Sequence, residues 1–324
     1  MTDQPGDAYA DYTAGSLEAT YGAAPFTVLN TRADTWQARK SAWHQRLGIT
    51  SGEGRADTLA YSDQRILKGA AGDNGTSVFD PFLCELSYRW YTRRADTILD
   101  PFAGGSVRGI VASRLGRSYT GIDLSGDQIA ANNAQLRPPI IQPTDPQPVW
   151  TQGDSTTLID MPHVNGTTYD YVYSCPPYHD LEHYTDNPLD LSNMPWDDFA
   201  SAYSMIIAQS AILLADDRFA GWVVGDIRDR RTGTIKPLVE LTVQAFQTAG
   251  LDLYDRAVIV NAVGSGALRA RNQFDPSRKL VRTHQYLLVF VKGDARRATT
   301  RIGQPDPPES IGDLQGFHQD ALFA

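Results

Sequence analysis

Two short segments of the sequence combine residue types at a spacing that could do chemistry. The first is Ser174-Cys-Pro-Pro-Tyr178, where a thiol is followed by two prolines and an aromatic ring. Proline fixes its φ angle, so the pair holds a neighbouring main-chain carbonyl in a preorganised position. The ring of Tyr178 can stack on a planar group. Taken alone, the segment could also be a strand that is simply ended by two prolines and an aromatic residue.

The second segment is the glycine-rich stretch Asp100-Pro-Phe-Ala-Gly-Gly-Ser-Val-Arg-Gly109. It lies between a predicted strand and a predicted helix, the place where a doubly wound sheet binds ligands. Glycines there let a ligand approach the main chain closely. Asp123 ends the next predicted strand, where a carboxylate can accept both hydroxyls of a ribose. The stretch lacks the Gly-x-Gly-x-x-Gly pattern of dinucleotide sites, and a glycine-rich turn with an Asp helix cap is the structural alternative.

These segments must be positioned by a sheet, because apolar strand-like runs alternate with helical segments along the chain. Such alternation predicts a largely parallel sheet covered by helices on both faces. Ser125 is predicted to cap the helix that follows Asp123. Seven strands are predicted, the last two without a helix between them, at 97–102, 119–124, a short run ending at 153–154, 169–173, 221–225, 257–260 and 286–292.

The glycine-rich stretch resembles the Asp-Pro-Phe-x-Gly-Ser-Gly signature of amino-group DNA methyltransferases, with Ser and Gly exchanged at Gly105 and Ser106. The resemblance covers roughly residues 77–292. It implies a class I methyltransferase fold, an α/β fold with a seven-stranded, mostly parallel sheet and an antiparallel last strand, here with an N-terminal extension. It also implies S-adenosylmethionine as the cofactor, bound by Phe79, Pro81, Asp100, Phe102, Ala103, Gly104, Gly105, Ser106, Asp123, Leu124, Asp154 and Ser155.

Ser174–Tyr178 resembles the (Asp/Asn/Ser)-Pro-Pro-(Tyr/Phe/Trp) motif of the same family, with Cys175 in its first position. The resemblance makes Cys175, Pro176, Pro177 and Tyr178 the catalytic residues. An exocyclic amino nitrogen is a poor nucleophile, because its lone pair is delocalised into the ring of the base. Hydrogen-bond acceptors beside its N–H bonds favour a pyramidal nitrogen whose lone pair points at the methyl donor, while an aromatic ring stacks on the extruded base.

Cys175 is a departure from the family pattern. Asp in this position is associated with adenine N6 and Ser with cytosine N4. A thiol is closer to Ser in size and charge, so cytosine N4 is favoured over adenine N6. Three alternatives remain open. One is carbon methylation at pyrimidine C5 with Cys175 as the nucleophile, although those enzymes usually show Pro-Cys. The others are methylation of RNA or of a protein glutamine, and a relative without catalysis that only binds DNA.

A basic cluster lies between the last two predicted strands, within 262–284, and is a candidate DNA-recognition loop. Clustered arginines suit phosphates and guanine edges, although a solvated surface loop is the alternative. Its cationic members are Arg269, Arg271, Arg278, Lys279 and Arg282. His179, Glu182 and His183 follow the catalytic motif and are expected in a solvated loop.

The cofactor signature precedes the catalytic motif with no room for a recognition domain between them, which is similar to the gamma arrangement of DNA methyltransferases. The chain then divides into an N-terminal arm and extension (1–76), a catalytic domain (77–293) and a mostly solvated tail (294–324). Phe26–Leu29, Trp36–Trp43 and Gly48–Ser51 resemble the leader of actinobacterial phage methyltransferases, which implies phage DNA as the substrate.

Composition limits the remaining classes of function. The 324 residues carry a net charge of −9, so DNA binding requires a local basic face. No apolar run is long enough to cross a bilayer, the polar start does not read as a signal peptide, and no membrane partner is expected. Two cysteines, Cys84 and Cys175, favour a reducing cytoplasm over a disulfide framework. No cluster with metal-ligand spacing is apparent, so no metal is expected.

Overall fold

The computed structural model describes residues 15–47, 79–138, 140–181, 184–229, 231–261 and 266–309. Ten strands lie in these ranges: β1 Val28–Asn30, β2 Thr97–Asp100, β3 Ser118–Asp123, β4 Val149–Gln152, β5 Tyr169–Ser174, β6 Leu214–Val224, β7 Ile227–Arg228, β8 Ile235–Lys236, β9 Asp252–Val260 and β10 His284–Lys292. Nine α-helices accompany them within the same ranges: α1 Leu17–Tyr21, α2 Asp34–Leu47, α3 Pro81–Tyr91, α4 Val107–Arg114, α5 Gly126–Ala134, α6 Trp196–Leu213, α7 Leu238–Thr248, α8 Gly266–Ser277 and α9 Ala295–Ile302.

The main sheet has the strand order β1-β9-β10-β6-β5-β2-β3-β4. β10 pairs antiparallel with both β9 and β6, while the other neighbouring pairs in this sheet are parallel. Seven of these strands, with β10 inserted antiparallel between β9 and β6, form the class I methyltransferase fold, which confirms the predicted fold class.

The predicted count of seven strands is corrected to eight in the main sheet. The additional strand is β1, which pairs in parallel with β9 and places Leu29 opposite Ile259. β1 is not among the strands predicted from the sequence, because three residues carry too little periodicity to indicate a sheet partner. A separate two-stranded hairpin, β7–β8, follows the main-sheet strand β6.

Two further sequence expectations differ from the structure. The candidate recognition loop at 262–284 contains the helix α8. Its Ala, Leu, Arg and Gln residues are good helix formers, a preference that was hidden by the charge of the segment. The segment from Asp294, predicted as a solvated tail, begins with α9, whose exposed face is polar and whose Ala298 and Ile302 are buried.

Helices cover both faces of the sheet, as apolar parallel strands require. On one face, α3 and α4 pack over a cluster that includes Tyr88, Tyr171 and Ile110. On the other face, α6 and α7 cover a cluster that includes Phe199 and Phe246.

Two of the helices begin at capping residues. Asp80 caps α3, with Pro81 in its first turn, and Ser125 caps α5 by accepting a hydrogen bond from Gln128 N, as predicted.

A buried ion-pair cluster attaches the N-terminal helix α2 to α3. Arg39 Nη2 lies 2.6 Å from Glu85 Oε1, and both side chains are fully buried. Glu85 also accepts hydrogen bonds from Trp43 Nε1 and from Arg89 Nε, at 2.5 and 2.9 Å. Other N–H groups of the two arginines donate to main-chain carbonyls after α9, those of Glu309, Asp306 and Pro307. The segment after α9 thus contacts the two arginines that hold the Glu85 carboxylate.

Candidate active site

The candidate site lies at the carboxyl edge of the parallel strands. β2, β3, β5 and β6 end there at Asp100, Asp123, Ser174 and Val224. Because parallel strands that pair side by side bring their carboxyl ends to one edge, the glycine-rich turn and the Cys-Pro-Pro-Tyr segment are neighbours in space.

Asp100 is fully buried, and its carboxylate links several of the elements that form this edge. Its Oδ2 accepts hydrogen bonds from Arg108 Nε at 2.5 Å and Tyr119 Oη at 2.7 Å. Its Oδ1 accepts from Ser174 Oγ at 2.6 Å and from the main-chain N–H of Phe102 at 3.1 Å. The carboxylate predicted to bind the cofactor therefore joins β2, β3, β5 and α4, and both of its oxygens are engaged by protein groups.

Arg108 is one residue of this site that sequence reasoning missed. Its Nη2 donates to the carbonyls of Phe102 and Ala103 at 2.6 and 2.9 Å, and its guanidinium carbon lies 4.7 Å from the ring centroid of Phe79. Burial acts to lower the pKa of Arg108, but Asp100, Tyr119 and Cys175 together outweigh it and hold that pKa well above its usual value. The signal in the sequence was an arginine at the start of α4, followed by the small and apolar residues Gly109 to Ser113.

The glycine-rich turn is fastened to the end of β3. Gly104 N donates to Asp123 Oδ2 at 2.8 Å, and Asn132 Nδ2 donates to the Gly104 carbonyl at 2.8 Å. Gly104 has a φ of 50°, in the left-handed region that glycine adopts without strain. A Cβ added to Gly105 would meet nothing within 4 Å, so space is open above the turn.

Asp123 is half-buried, and its Oδ1 accepts from Ser125 N at 2.8 Å. These two main-chain contacts orient the carboxylate between the glycine-rich turn and the start of α5. A half-exposed carboxylate beside an open glycine turn fits a ligand that carries ribose hydroxyls. These residues, rather than Asp100, are the part of the predicted cofactor set whose geometry suits direct ligand contact.

The other predicted cofactor residues surround this turn in several structural roles. Ser155 Oγ donates to the Pro101 carbonyl at 2.6 Å, which ties the turn after β4 to the turn after β2. Asp154 caps the short 3₁₀ helix Ser155–Asp160 through Thr156. Ser106 Oγ donates to Gln135 Oε1 at 2.9 Å, and the Leu124 carbonyl accepts from Gln152 Nε2 at 3.1 Å.

The Phe79–Pro81 segment lies at the start of α3, with Phe79 half-buried and Pro81 buried. The Phe79 ring meets the Tyr173 ring edge to face, with 6.0 Å between centroids. Since Phe79 also covers the guanidinium of Arg108, it lies beside the glycine-rich turn.

The Cys175–Tyr178 segment leaves β5 directly after Ser174. Cys175, Pro177 and Tyr178 are half-buried, while Pro176 is buried. Tyr178 Oη donates to Gln285 Oε1 of β10 at 2.9 Å. Burial, with a smaller contribution from Cys175, raises the pKa of Tyr178 well above its usual value, so its hydroxyl remains a hydrogen-bond donor.

His179 follows this segment and is buried instead of lying in a solvated loop. Its ring meets the Phe199 ring edge to face, 5.0 Å between centroids, and its Nε2 lies 3.0 Å from the Met194 carbonyl oxygen. Lys236 Nζ of the hairpin lies 2.9 Å from His179 Nδ1. The hairpin is thereby attached to the turn after Tyr178. Glu182 and His183 lie outside the described residues.

The members of the predicted basic cluster lie in different environments. Arg271 and Arg278 are exposed on and after α8, and Lys279 is half-buried beside the hairpin, where a Cβ on Gly233 would collide with its Nζ. Arg282 donates to the main-chain carbonyl of Asp226 and so supports the turn between β6 and β7. The side chain of Arg269 lies outside the described residues.

The described residues contain no group of three or more His, Cys, Asp or Glu side chains that could hold a metal ion. Among those same residues, no helix is both long and apolar enough to cross a bilayer.

No family model and no curated protein sequence matches this chain. Similar solved structures include TrmN from Thermus thermophilus, with a TM-score of 0.42 and 14% identity, covering 71% of this chain and 52% of that one. This chain thus spans about half the length of that protein. A candidate rRNA methylase from Clostridium thermocellum has a TM-score of 0.44 and 11% identity, covering 67% of this chain and 99% of the other.

Magnesium protoporphyrin IX methyltransferase from Synechocystis PCC 6803, solved with bound S-adenosylmethionine, has a TM-score of 0.38 and 14% identity. That comparison covers 62% of this chain and 71% of the other. At such identities the likeness concerns the fold alone, so the chemistry of this chain is argued from its own residues.

Proposed function

We propose that this protein transfers a methyl group from S-adenosylmethionine to an exocyclic amino group of a DNA base, with cytosine N4 favoured over adenine N6. The observation that carries the proposal is the hydrogen bond from Ser174 Oγ to Asp100 Oδ1, 2.6 Å long and fully buried. It fastens the Cys-Pro-Pro-Tyr segment to the glycine-rich turn, so that a ligand over the turn would lie beside Cys175 and Tyr178.

The residues at the turn fit the proposed cofactor. Asp123 would accept the ribose hydroxyls, and the open main chain at Gly105 would allow close approach. Phe79, held against Arg108, would cover the end of the ligand nearest β5. When bound, S-adenosylmethionine would supply a methyl group on a sulfonium, from which a neutral thioether departs as the new nitrogen–carbon bond forms.

The chain's own residues would prepare the amino nitrogen. A main-chain carbonyl held by Pro176 and Pro177 would accept one N–H, since the prolines fix the backbone before substrate arrives. The Tyr178 ring would stack on the extruded base. The Cys175 thiol is a weaker acceptor than a carboxylate or hydroxyl, which leaves more of the work to the carbonyl. After transfer, the nitrogen would release one proton to water.

DNA as the substrate is supported by charge on one side of the site. Arg271 and Arg278 are exposed, and Lys279 joins them beside the hairpin. The exposed side chains of Phe274 and Leu280 are interleaved with these cations. Clustered cations with apolar groups between them suit a phosphate backbone, and a local basic face is sufficient despite the net charge of −9.

The leader resemblance extends the proposal to phage DNA modified against restriction in a bacterial cytoplasm. Of the segments that carry it, Phe26–Leu29 leads into β1 and Trp36–Trp43 lies in α2, while Gly48–Ser51 lies outside the described residues. The short recognition elements fit a short or relaxed target sequence.

The test is transfer of a tritiated methyl group from S-adenosylmethionine to DNA, to RNA and to protein, measured in parallel. The proposal predicts label in DNA, abolished by Tyr178→Ala and retained in Tyr254→Ala, a matched change at an exposed tyrosine of β9. Label confined to RNA or protein would replace the substrate. No transfer by protein that binds the cofactor would point to a non-catalytic relative.

A further inference from the structure

We infer that Gln285 and Asn261 are positioning residues that set the orientation of the Tyr178 ring. The inference deepens the proposed function and rests on it for its catalytic consequence. Its structural content, that a two-amide chain holds the ring, can be tested without any activity.

The three side chains come from separate parts of the chain and form a continuous series. Tyr178 Oη donates to Gln285 Oε1 at 2.9 Å. Gln285 Nε2 in turn donates to Asn261 Oδ1 at 3.4 Å, a longer bond. Because one amide group uses its oxygen for Tyr178 and its nitrogen for Asn261, the orientation of each amide fixes that of the next.

The sheet holds both amides. Gln285 lies in β10 opposite Ile259 of β9, and Asn261 directly follows β9. Asn261 N donates to the Thr283 carbonyl at 2.8 Å, which continues the antiparallel pairing beyond the strands. The acceptor for Tyr178 is therefore carried by a rigid element rather than by a loop.

Gly225, after β6, lies against both the Tyr178 ring and Gln285. A Cβ there would come within 3.4 Å of both Tyr178 Cε2 and Gln285 Cβ. The ring therefore passes over a position that has no side chain. On that side the ring faces the main chain of Gly225, and the hydrogen bond of its hydroxyl adds a directional restraint.

This restraint has a consequence for the proposed reaction. Pro176 and Pro177 fix backbone angles, but they leave the two side-chain torsions of Tyr178 free. Stacking on an extruded base requires a defined ring plane, and catalysis is sensitive to small errors in orientation. A hydrogen bond at the far end of the ring restrains both torsions before substrate arrives.

The catalytic test is a double-mutant cycle of Tyr178→Phe and Gln285→Leu. Each single change keeps a ring or a side chain of similar size and removes the hydrogen bond between Tyr178 and Gln285, while Tyr178→Phe also removes the hydrogen bond of the hydroxyl with Cys175. We expect each to lower kcat by about two- to tenfold, with the affinity for S-adenosylmethionine unchanged and the double variant no worse than Tyr178→Phe alone. Asn261→Ala should give a smaller loss within the same cycle.

Gln247→Leu, at an exposed position of α7, and Tyr254→Phe are the matched controls and should leave kcat unchanged. Additive losses from Tyr178→Phe and Gln285→Leu, or a loss expressed in KM alone, would show that the two residues act independently and would overturn the inference.

The structural test uses ¹⁹F NMR of the full chain labelled with 3-fluorotyrosine, in which Tyr178→Phe identifies the resonance of Tyr178. A held ring predicts one dominant environment, split or broadened in Gln285→Leu and unchanged in Gln247→Leu. An unchanged Tyr178 resonance in Gln285→Leu would refute the inference whatever the activity. If the wild-type protein transfers no methyl group while Gln285→Leu alters the resonance, the proposed function fails and the positioning stands.

Discussion

Arg108 Nε lies 2.5 Å from Asp100 Oδ2, and the two side chains are 6% and 0% exposed. This ion pair lies directly beneath the glycine-rich turn. The same carboxylate holds Ser174, while the same guanidinium holds the carbonyls of Phe102 and Ala103. The cofactor turn and the catalytic segment consequently depend on one buried pair of charges.

Arg108→Met is expected to destabilise the protein by about 3–5 kcal/mol, because it leaves the Asp100 carboxylate buried without its cation. The measurement is the free energy of unfolding in urea. Arg296→Met, at an exposed position of α9, is the control and should change it by less than about 0.5 kcal/mol. If Arg108→Met also changed the free energy of unfolding by less than about 0.5 kcal/mol, the buried pair would not hold the turn.

Asp123→Asn is expected to weaken binding of S-adenosylmethionine by at least about tenfold, because hydrogen bonds to a charged acceptor are worth about 1.5–3 kcal/mol. The affinity is measured by isothermal titration calorimetry. Asp127→Asn, an exposed residue of the following helix, provides the matched control. Equal affinities for the two variants would remove Asp123 from the cofactor site.

The pH dependence of stability should report the Glu85 cluster. Burial acts to raise the pKa of Glu85, but Arg39 and Arg89 outweigh it and lower that pKa from its ordinary 4.5. A carboxylate whose pKa is lowered by folding stabilises the native state above its unfolded pKa. That stabilisation is lost as the pH falls through the lowered value.

Glu85→Gln should therefore lower the free energy of unfolding at pH 7 by about 3–5 kcal/mol, since it leaves two buried arginines without a counter-charge. Its stability should also fall less steeply than that of the wild type below about pH 4.5. Urea unfolding at pH 7 and in acid measures both effects, with Glu240→Gln on α7 as the exposed control. Parallel pH profiles for the wild type and Glu85→Gln would contradict this account.

Much of the architecture was accessible from the sequence, because buried parallel strands are apolar runs separated by helical periodicity. The strands at Thr97, Ser118 and Tyr169 were predicted near their observed positions for that reason. β1 and α8 were not predicted. A three-residue edge strand carries almost no pattern, and the charges of α8 obscured its helix-forming residues.

The site was predictable only in part. The glycine-rich turn and the Pro-Pro segment could be recognised from the sequence, because few other residues adopt the backbone geometry of glycine and proline. Two contacts in the site could not be predicted, that of Asp100 with Arg108 and that of Tyr178 with Gln285. Each depends on where two side chains from different elements point in the folded protein. Neither residue type nor spacing in one sequence indicates such a partner, so the protein contacts of both Asp100 oxygens could not be predicted.

Cys175→Ser separates the two chemistries proposed for this position. On the amino-group mechanism a hydroxyl replaces a weak acceptor with a better one, so activity should persist within about tenfold of the wild type. Steady-state methyl transfer to DNA is the measurement. A covalent nucleophile at Cys175 predicts instead that Ser abolishes transfer, a result that would favour pyrimidine C5.

The basic face predicts the salt dependence of DNA binding. Neutralising Arg271, Arg278 and Lys279 together should reduce the slope of log affinity against log salt by about one for each phosphate that is no longer neutralised. Fluorescence anisotropy with a short duplex across a salt series measures that slope. Arg296→Ala, on α9, should leave the slope unchanged. An unaltered slope in the triple variant would place the DNA on another surface.

The central claim, methyl transfer to an exocyclic amino group of DNA, is tested most directly by mass spectrometry of nucleosides from DNA incubated with the protein and isotopically labelled S-adenosylmethionine. The account predicts label in N4-methylcytosine, or in N6-methyladenine if Cys175 does not select cytosine. Label in 5-methylcytosine, or none in any DNA nucleoside despite bound cofactor, would contradict it.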